Sequence, residues 1–276
     1  MYKNYANMGK FPFKYDPSDR KAIASESLVP MRSEPQESSE MISQLTWGEP
    51  VDIIETSETW LHVQSIVDGY IGWVSNKMVD KLSPTEFNIL KNAYLTITNT
   101  ECRCLIGKFK LEYFLPAGSF IYETGQDGLF FHPTAGSITF SSKDTLLKPV
   151  DITTTTKGFI NAPYLWGGKT IFGIDCSGFT QMAYRILEIY IPRDASQQAA
   201  IGQTVNFITE VKPGDLAFFD NEEGLITHVG IILPENKIIH ASGKVRMDSI
   251  DHQGIFNIKK GIYTHKLRII KRLSNV

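Results

Sequence analysis

Three residues of this 276-residue chain have the types that nucleophilic catalysis needs. They are Cys176 in "IDCSGF", His228 in "ITHVGII" and His240 in "KIIHASG". An apolar run at helical spacing follows the cysteine, with Phe179, Met182, Ala183, Ile186, Leu187 and Tyr190 on one face and Pro192 as its stop. The thiol therefore stands at a helix start, where free N–H groups and the positive dipole end collect. Such a place favours the thiolate, the reactive form. A cysteine there is equally an ordinary small residue beside a cap, and alone it decides nothing.

The histidines tip the balance. They lie on successive predicted strands joined by the turn "PENK". Folding that hairpin puts His240 opposite residue 230 or 231, with His228 as its diagonal neighbour on the same face. A thiol, a base and a group that orients the base make a catalytic set. We read Cys176 as nucleophile, His228 as base and His240 as orienter. Taken as zinc ligands, the same three residues lack a fourth partner and any CxxC or HExxH spacing. No metal and no cofactor is expected. His62, His132, His252 and His265 stand apart in the sequence and are read as surface or core residues.

The elements that must position this set come in three blocks. Residues 1–82 read as an aromatic, polar arm followed by a small barrel of short alternating strands, among them "WLHVQSI" and "YIGWV". Residues 83–150 read as a helical linker, capped by Ser83 with Pro84 at the first helical position, and a second barrel. "LTWGEPVDI" at Leu45 and "LPAGSFIYE" at Leu115 echo each other, which suggests a duplication. Residues 151–276 read as α+β: a helix from Cys176, then antiparallel strands in "VKPGDLAFFD", "ITHVGIIL" and "KIIHASG".

Composition narrows the function classes. Net charge is −2, which implies no broad cationic face for nucleic acid or anionic lipid. Three cysteines, an odd number, argue against a disulfide framework; Cys102 and Cys104 read as neighbours on one strand face. The first twenty residues show no signal-peptide core, and no run of about 18 apolar residues occurs, so a cytoplasmic protein without membrane contact is expected.

"PYLWGG" (163–168), "DCSGF" (175–179), "PRDASQQ" (192–198), "PGDLAFF" (213–219), "HVGI" (228–231) and "HASG" (240–243) occur in this order. Together they resemble the NlpC/P60 cell-wall cysteine peptidases, which have a papain-like fold. The two barrels resemble bacterial SH3-like (SH3b) domains, with "GYIGWV" (69–74) the clearest signature. The whole architecture is similar to the YkfC-like γ-D-glutamyl-L-diamino acid endopeptidases, also called dipeptidyl-peptidase VI. The resemblance implies a murein tripeptide or tetrapeptide as substrate, with diaminopimelate or lysine after the D-glutamate. Cys176 would form a thioester, His228 would protonate the leaving amine and then activate water, and the Cys176 N–H with the Tyr164 hydroxyl would hold the oxyanion.

The resemblance also implies a free N-terminal L-alanine on the substrate. Asp175 is the first candidate for its amine, with Tyr70 and Glu40 as the tyrosine and acid expected from the first barrel, and Glu34 as the fallback acid. Trp166, Ser177, Asp194 and Ser196 are expected to line the dipeptide pocket, although Asp194 and Ser196 are equally suited to capping a helix. A monomer that trims soluble peptides in cell-wall recycling is the expected role. The competing expectation is a murein-peptide binding protein with an inactive peptidase domain.

Overall fold

The computed structural model describes residues 20–99, 101–107, 110–123, 130–140 and 151–273, so the N-terminal arm read from the sequence lies outside the described residues. The chain forms two compact units. One comprises residues up to 148 together with 188–190, the other residues 149–187 and 191–276.

The first unit holds two barrels built to one plan. The first contains β1 (Lys21–Ala24), β2 (Leu28–Arg32), β3 (Met41–Thr46), β4 (Pro50–Thr56), β5 (Trp60–Ser65), β6 (Ile71–Ser75) and β7 (Val79–Leu82). The helix α1 (Pro84–Asn92) follows, with Ser83 and Glu86 forming a capping box. The second barrel contains β8 (Tyr94–Ile97), β9 (Cys102–Ile106), β10 (Leu111–Leu115), β11 (Phe120–Glu123), β12 (Phe130–His132) and β13 (Gly136–Phe140). Sheet order is β3-β2-β6-β5-β4-β1-β7 in the first and β10-β9-β13-β12-β11-β8 in the second. Apart from β7 the two orders superimpose strand for strand.

The echo at Leu45 and Leu115 marks the same turn in both barrels. Gly48 N–H donates to Ala24 O at 2.9 Å, and Gly118 N–H to Thr98 O at 2.8 Å. Both glycines have positive φ, 76° and 84°. At Gly48 a side chain has no room either, because a Cβ would lie 2.3 Å from Phe120 O. The barrels share a seam in which Ile23, Leu82, Leu90, Leu95, Phe120 and Tyr122 pack together. Trp47 of the first barrel is buried in the core of the second, among Cys102, Cys104, Ile106 and Leu115. The β9 pattern alternates buried and exposed residues, so both cysteines face inward as free thiols.

The second unit carries α2 (Ile152–Lys157), the short pair β14 (Lys169–Thr170) and β15 (Gly173–Ile174), then α3 (Cys176–Ile186) and α4 (Ala195–Ala199). Its sheet contains β16 (Gln203–Val205), β17 (Leu216–Asp220), β18 (Ile226–Leu233), β19 (Lys237–Ser242), β20 (Lys244–Ile250), β21 (Gly254–Asn257) and β22 (Ile262–Arg272). The order is β16-β22-β17-β18-β19-β20-β21, with β21 also pairing to β22, so the sheet curls onto itself. Every residue of α3 is buried. The helix stops at Ile186, earlier than the expected stop before Pro192. Leu187 caps it and Glu188 takes φ 63°, a left-handed conformation that a right-handed helix cannot continue through.

Candidate active site

Asp175 is the N-cap of α3 and Cys176 its first residue. The Asp175 carboxylate accepts from Gly178 N–H at 2.7 Å, Gly167 N–H at 2.8 Å and Ser177 Oγ at 3.3 Å. Arg193 then clasps it with both terminal nitrogens, at 3.0 and 2.5 Å, and also donates to Ser177 Oγ at 2.8 Å. Asp175, Ser177 and Arg193 are all buried. Such a bidentate pair supplies the hydrogen bonds that make burial of both charges tolerable. Gly178 is required here because a Cβ would meet Gly168 O at 2.3 Å.

Asp175, the expected acid for the substrate amine, and Ser177, an expected pocket residue, thus both take part in the anchor of the helix start. Arg193, which the sequence reading passed over inside "PRDASQQ", is the other half of that anchor.

Cys176 is 6 % exposed, and its Sγ lies 3.9 Å from Thr227 O. Burial and the adjacent Asp175 charge push the thiol up to about 11, against the opposing pull of the Val229 and Ser177 backbone N–H groups and of Arg193. Burial thus works against the ionisation that the helix start favours. Thr227 and Val229, whose backbone the thiol meets, flank His228 in β18.

The histidine hairpin has the expected register. Gly230 pairs with His240, leaving His228 on the diagonal, and His228 Nε2 lies 2.8 Å from His240 Nδ1. The chain of contacts continues to a residue the sequence reading missed. His240 Nε2 lies 3.0 Å from Asp248 Oδ2 in β20, which Arg246 also approaches at 2.8 Å. Burial raises the Asp248 carboxyl, but the His240 hydrogen bond and the Arg246 charge outweigh it and hold it below the ordinary value.

An ionised carboxylate only accepts, so the tautomers follow. His240 donates from Nε2 to Asp248 and accepts at Nδ1. His228 donates to it from Nε2, which leaves the His228 Nδ1 lone pair free for a proton. Burial first, then the charges of His240, His265 and Arg246, lower His228 well below an ordinary histidine. It rests neutral, as a base must. The diagonal rule that linked His228 to His240 could have found Asp248. In the next hairpin Ile238 pairs with Asp248 and His240 with Arg246, so Asp248 is again the diagonal neighbour.

His265, read from the sequence as an isolated histidine, belongs to the same cluster. Its ring stacks on His228 with centroids 4.2 Å apart and planes 24° apart. Ring nitrogens of His228, His240 and His265 lie within 4.8 Å of one another, near enough to suggest a metal ion. The geometry fits ligation poorly. Near-parallel stacked rings aim their in-plane lone pairs past each other, and the facing nitrogens of His228 and His240 are already bonded together.

Tyr164 bridges to Ile174, just ahead of Cys176, through Ile174 N–H to Pro163 O at 3.0 Å and Leu165 N–H to Ile174 O at 3.3 Å, and its own N–H donates to Gly243 O at 3.0 Å. Burial and then the charges of Cys176 and Asp175 push its hydroxyl up to about 12, so it remains a donor. Trp166 is exposed next to Gly167. Asp194 opens α4, with its N–H directed to Gln197 Oε1 at 3.4 Å, which is the capping geometry. Ser196 is exposed and lines a cavity of about 760 Å³ with Ile226, His252 and Arg268. Tyr70 and Glu40 belong to the first unit. Tyr70 packs on the first barrel core and its N–H donates to Asp68 Oδ1 at 3.0 Å. Glu40 is exposed, as is Glu34, whose carboxylate accepts from Gln36.

Residues 161–262 match the NlpC/P60 family, and residues 31–78 match the bacterial dipeptidyl-peptidase SH3 domain. The chain is 29% identical over 247 residues to a gamma-D-glutamyl-L-lysine dipeptidyl-peptidase of Bacillus subtilis, covering 83% of this chain and 80% of that one. It is 26% identical over 263 residues to dipeptidyl-peptidase 6 of Lysinibacillus sphaericus, covering 84% and 92%. The crystal structure of an NlpC/P60 family protein from Bacillus cereus shares the fold, with a TM-score of 0.76 at 19% identity over 91% of this chain and 99% of that one. The second unit of this chain is thus an NlpC/P60 domain, a peptidase of the hydrolase class, and its first barrel is a bacterial dipeptidyl-peptidase SH3 domain.

Proposed function

We propose that the chain is a cysteine endopeptidase that cuts murein peptides between the γ-carboxyl of D-glutamate and the following L-diamino acid, and that it requires a free N-terminal L-alanine. The arrangement that carries this reading is the neutral relay Asp248–His240–His228 beside a buried thiol at a helix start. The names of the Bacillus subtilis and Lysinibacillus sphaericus relatives support the substrate class.

Thiol and imidazole both rest neutral here, so the first step couples deprotonation to attack. The His228 Nδ1 takes the Cys176 proton as sulfur bonds to the γ-carbonyl carbon. The Cys176 N–H and the Tyr164 hydroxyl hold the oxyanion. As the tetrahedral intermediate collapses, His228 returns the proton to the departing amine of the diamino acid, leaving a thioester. It then takes a proton from water, whose oxygen attacks the thioester carbonyl, and gives that proton back to sulfur. His240 and Asp248 keep His228 in the tautomer that each step needs and offset the imidazolium charge. Trimming of soluble peptides in cell-wall recycling, in the cytoplasm and by a monomer, is the cellular role we attach to this reaction.

The test is mass spectrometry of products from L-Ala-γ-D-Glu-diaminopimelyl-D-Ala, its lysine counterpart and their N-acetylated forms. Release of L-Ala-D-Glu from the free peptides, loss of release on acetylation and no release by Cys176→Ala are expected. Equal cleavage of the acetylated peptide would remove the free-amine requirement, and cleavage by Cys176→Ala would remove the mechanism.

A further inference from the structure

The base is held on two sides. His240 bonds to the edge of the His228 ring through Nε2, with the rings at 82°. His265 covers its face, nearly parallel at 24° and 4.2 Å. The second contact comes from far along the sheet. Phe219 in β17 pairs with His228 on one side and with Leu267 in β22 on the other, and an irregularity beside Phe219 shifts the β22 register there. Phe219 also meets both rings, with centroids 5.8 Å away in each case. His265 is itself anchored, with Nδ1 2.9 Å from Thr264 Oγ1.

One edge hydrogen bond does not fix an imidazole plane. The torsion that turns the ring is broad, so a ring bonded at one nitrogen can rock about that bond. Rocking about that bond also swings the free Nδ1, whose direction decides which proton it can take. A flat group on the face removes that motion. We propose that His265 is a positioning residue for the base: its ring, stacked on His228, sets the plane in which His228 Nδ1 meets the Cys176 proton. This rests on the cysteine-peptidase reading above. Flatness is the property that matters, so an uncharged aromatic ring should replace it. Burial, then the charges of His240 and Arg246, lower His265 to about 4, which keeps the stack uncharged while His228 cycles through its imidazolium form.

The test compares His265→Leu, which fills the space without a flat face, with His265→Phe, which keeps one. Two rates are read for each folded variant: turnover of L-Ala-γ-D-Glu-diaminopimelyl-D-Ala, and iodoacetamide alkylation at Cys176 followed by peptide mass. Alkylation needs base and thiol but no peptide, so it tests the positioning even if the wild type leaves that peptide uncut, an outcome that counts against the substrate reading alone. Misplacing the base should lower kcat about 10- to 100-fold in His265→Leu with KM nearly unchanged, and slow alkylation in parallel. His265→Phe should stay within about threefold of wild type in both. Wild-type rates in His265→Leu, or equal losses in Leu and Phe, would overturn the proposal.

Discussion

Two polar clusters of the second unit each hold one carboxylate. Around Asp175 the partner is Arg193, whose guanidinium keeps its proton at any working pH, and the remaining acceptor sites take backbone N–H groups. Around Asp248 the partners are Arg246 and His240, and His240 passes the orientation on to His228. The first cluster has no proton to give, so it can only hold shape. The second can move one, because its members are histidines that burial keeps neutral. Asp175 and Arg193 are fully buried, whereas Asp248 and Arg246 are half-buried. Each carboxylate meets an arginine, and what sets the second cluster apart is the histidine chain that runs on from Asp248.

Breaking the anchoring cluster should have the largest effect. Arg193→Ala leaves Asp175 buried without its countercharge, and we expect a loss of about 3–5 kcal/mol in urea unfolding. A midpoint unchanged from wild type would show that Asp175 needs no fixed partner. The reacting cluster should respond in rate more than in stability. Asp248→Asn replaces a pure acceptor by an amide that can also donate, so the tautomer of His240 is no longer imposed. The loss should be smaller than the about 10⁴-fold known for a triad carboxylate in direct contact with the base, since Asp248 acts through one more ring. We expect kcat lower by about 10- to 100-fold with KM nearly unchanged, read from initial rates.

The smallest effect is expected in pH dependence, and it separates the clusters. His228, His240 and His265 are lowered in the fold, His265 to about 4. The unfolded chain therefore binds more protons than the folded one as pH falls below the ordinary histidine value of about 6.5. Stability should be full above that value and decline from there toward pH 4. Buried His132 of the first unit, also lowered to about 4, adds to the same decline. Urea midpoints at pH 7.5, 5.5 and 4.5, compared between wild type and His265→Phe, check this. The variant should lose less stability on acidification, and an identical decline would exclude His265 from it.

Much of the candidate set was legible because its spacing is local. His228 and His240 share one hairpin, and the turn length alone makes them diagonal neighbours. Cys176 announced a helix start through the apolar period that follows it, although that period ran past the true end at Ile186 because nothing in it signals the left-handed Glu188. The barrels were readable as alternation, and their common turn as the L-x-x-G echo. Asp248 was within reach of the same diagonal rule, applied one hairpin further. The guanidinium that clasps Asp175 was not legible, because it comes from 18 residues away.

What the sequence by itself determined is therefore the set of local devices: the helix that begins at a cysteine, the histidine hairpin, and turns that only glycine permits. Each depends on neighbours within one turn or one hairpin, where period and register follow from bond geometry. The tertiary structure alone decided that Arg193 would clasp Asp175 from 18 residues away, that His265 would lie over His228, and that burial would work against ionising the thiol. Those outcomes depend on which strands meet in the sheet and on how much water is excluded there, and desolvation is a property of the packed surroundings rather than of any residue.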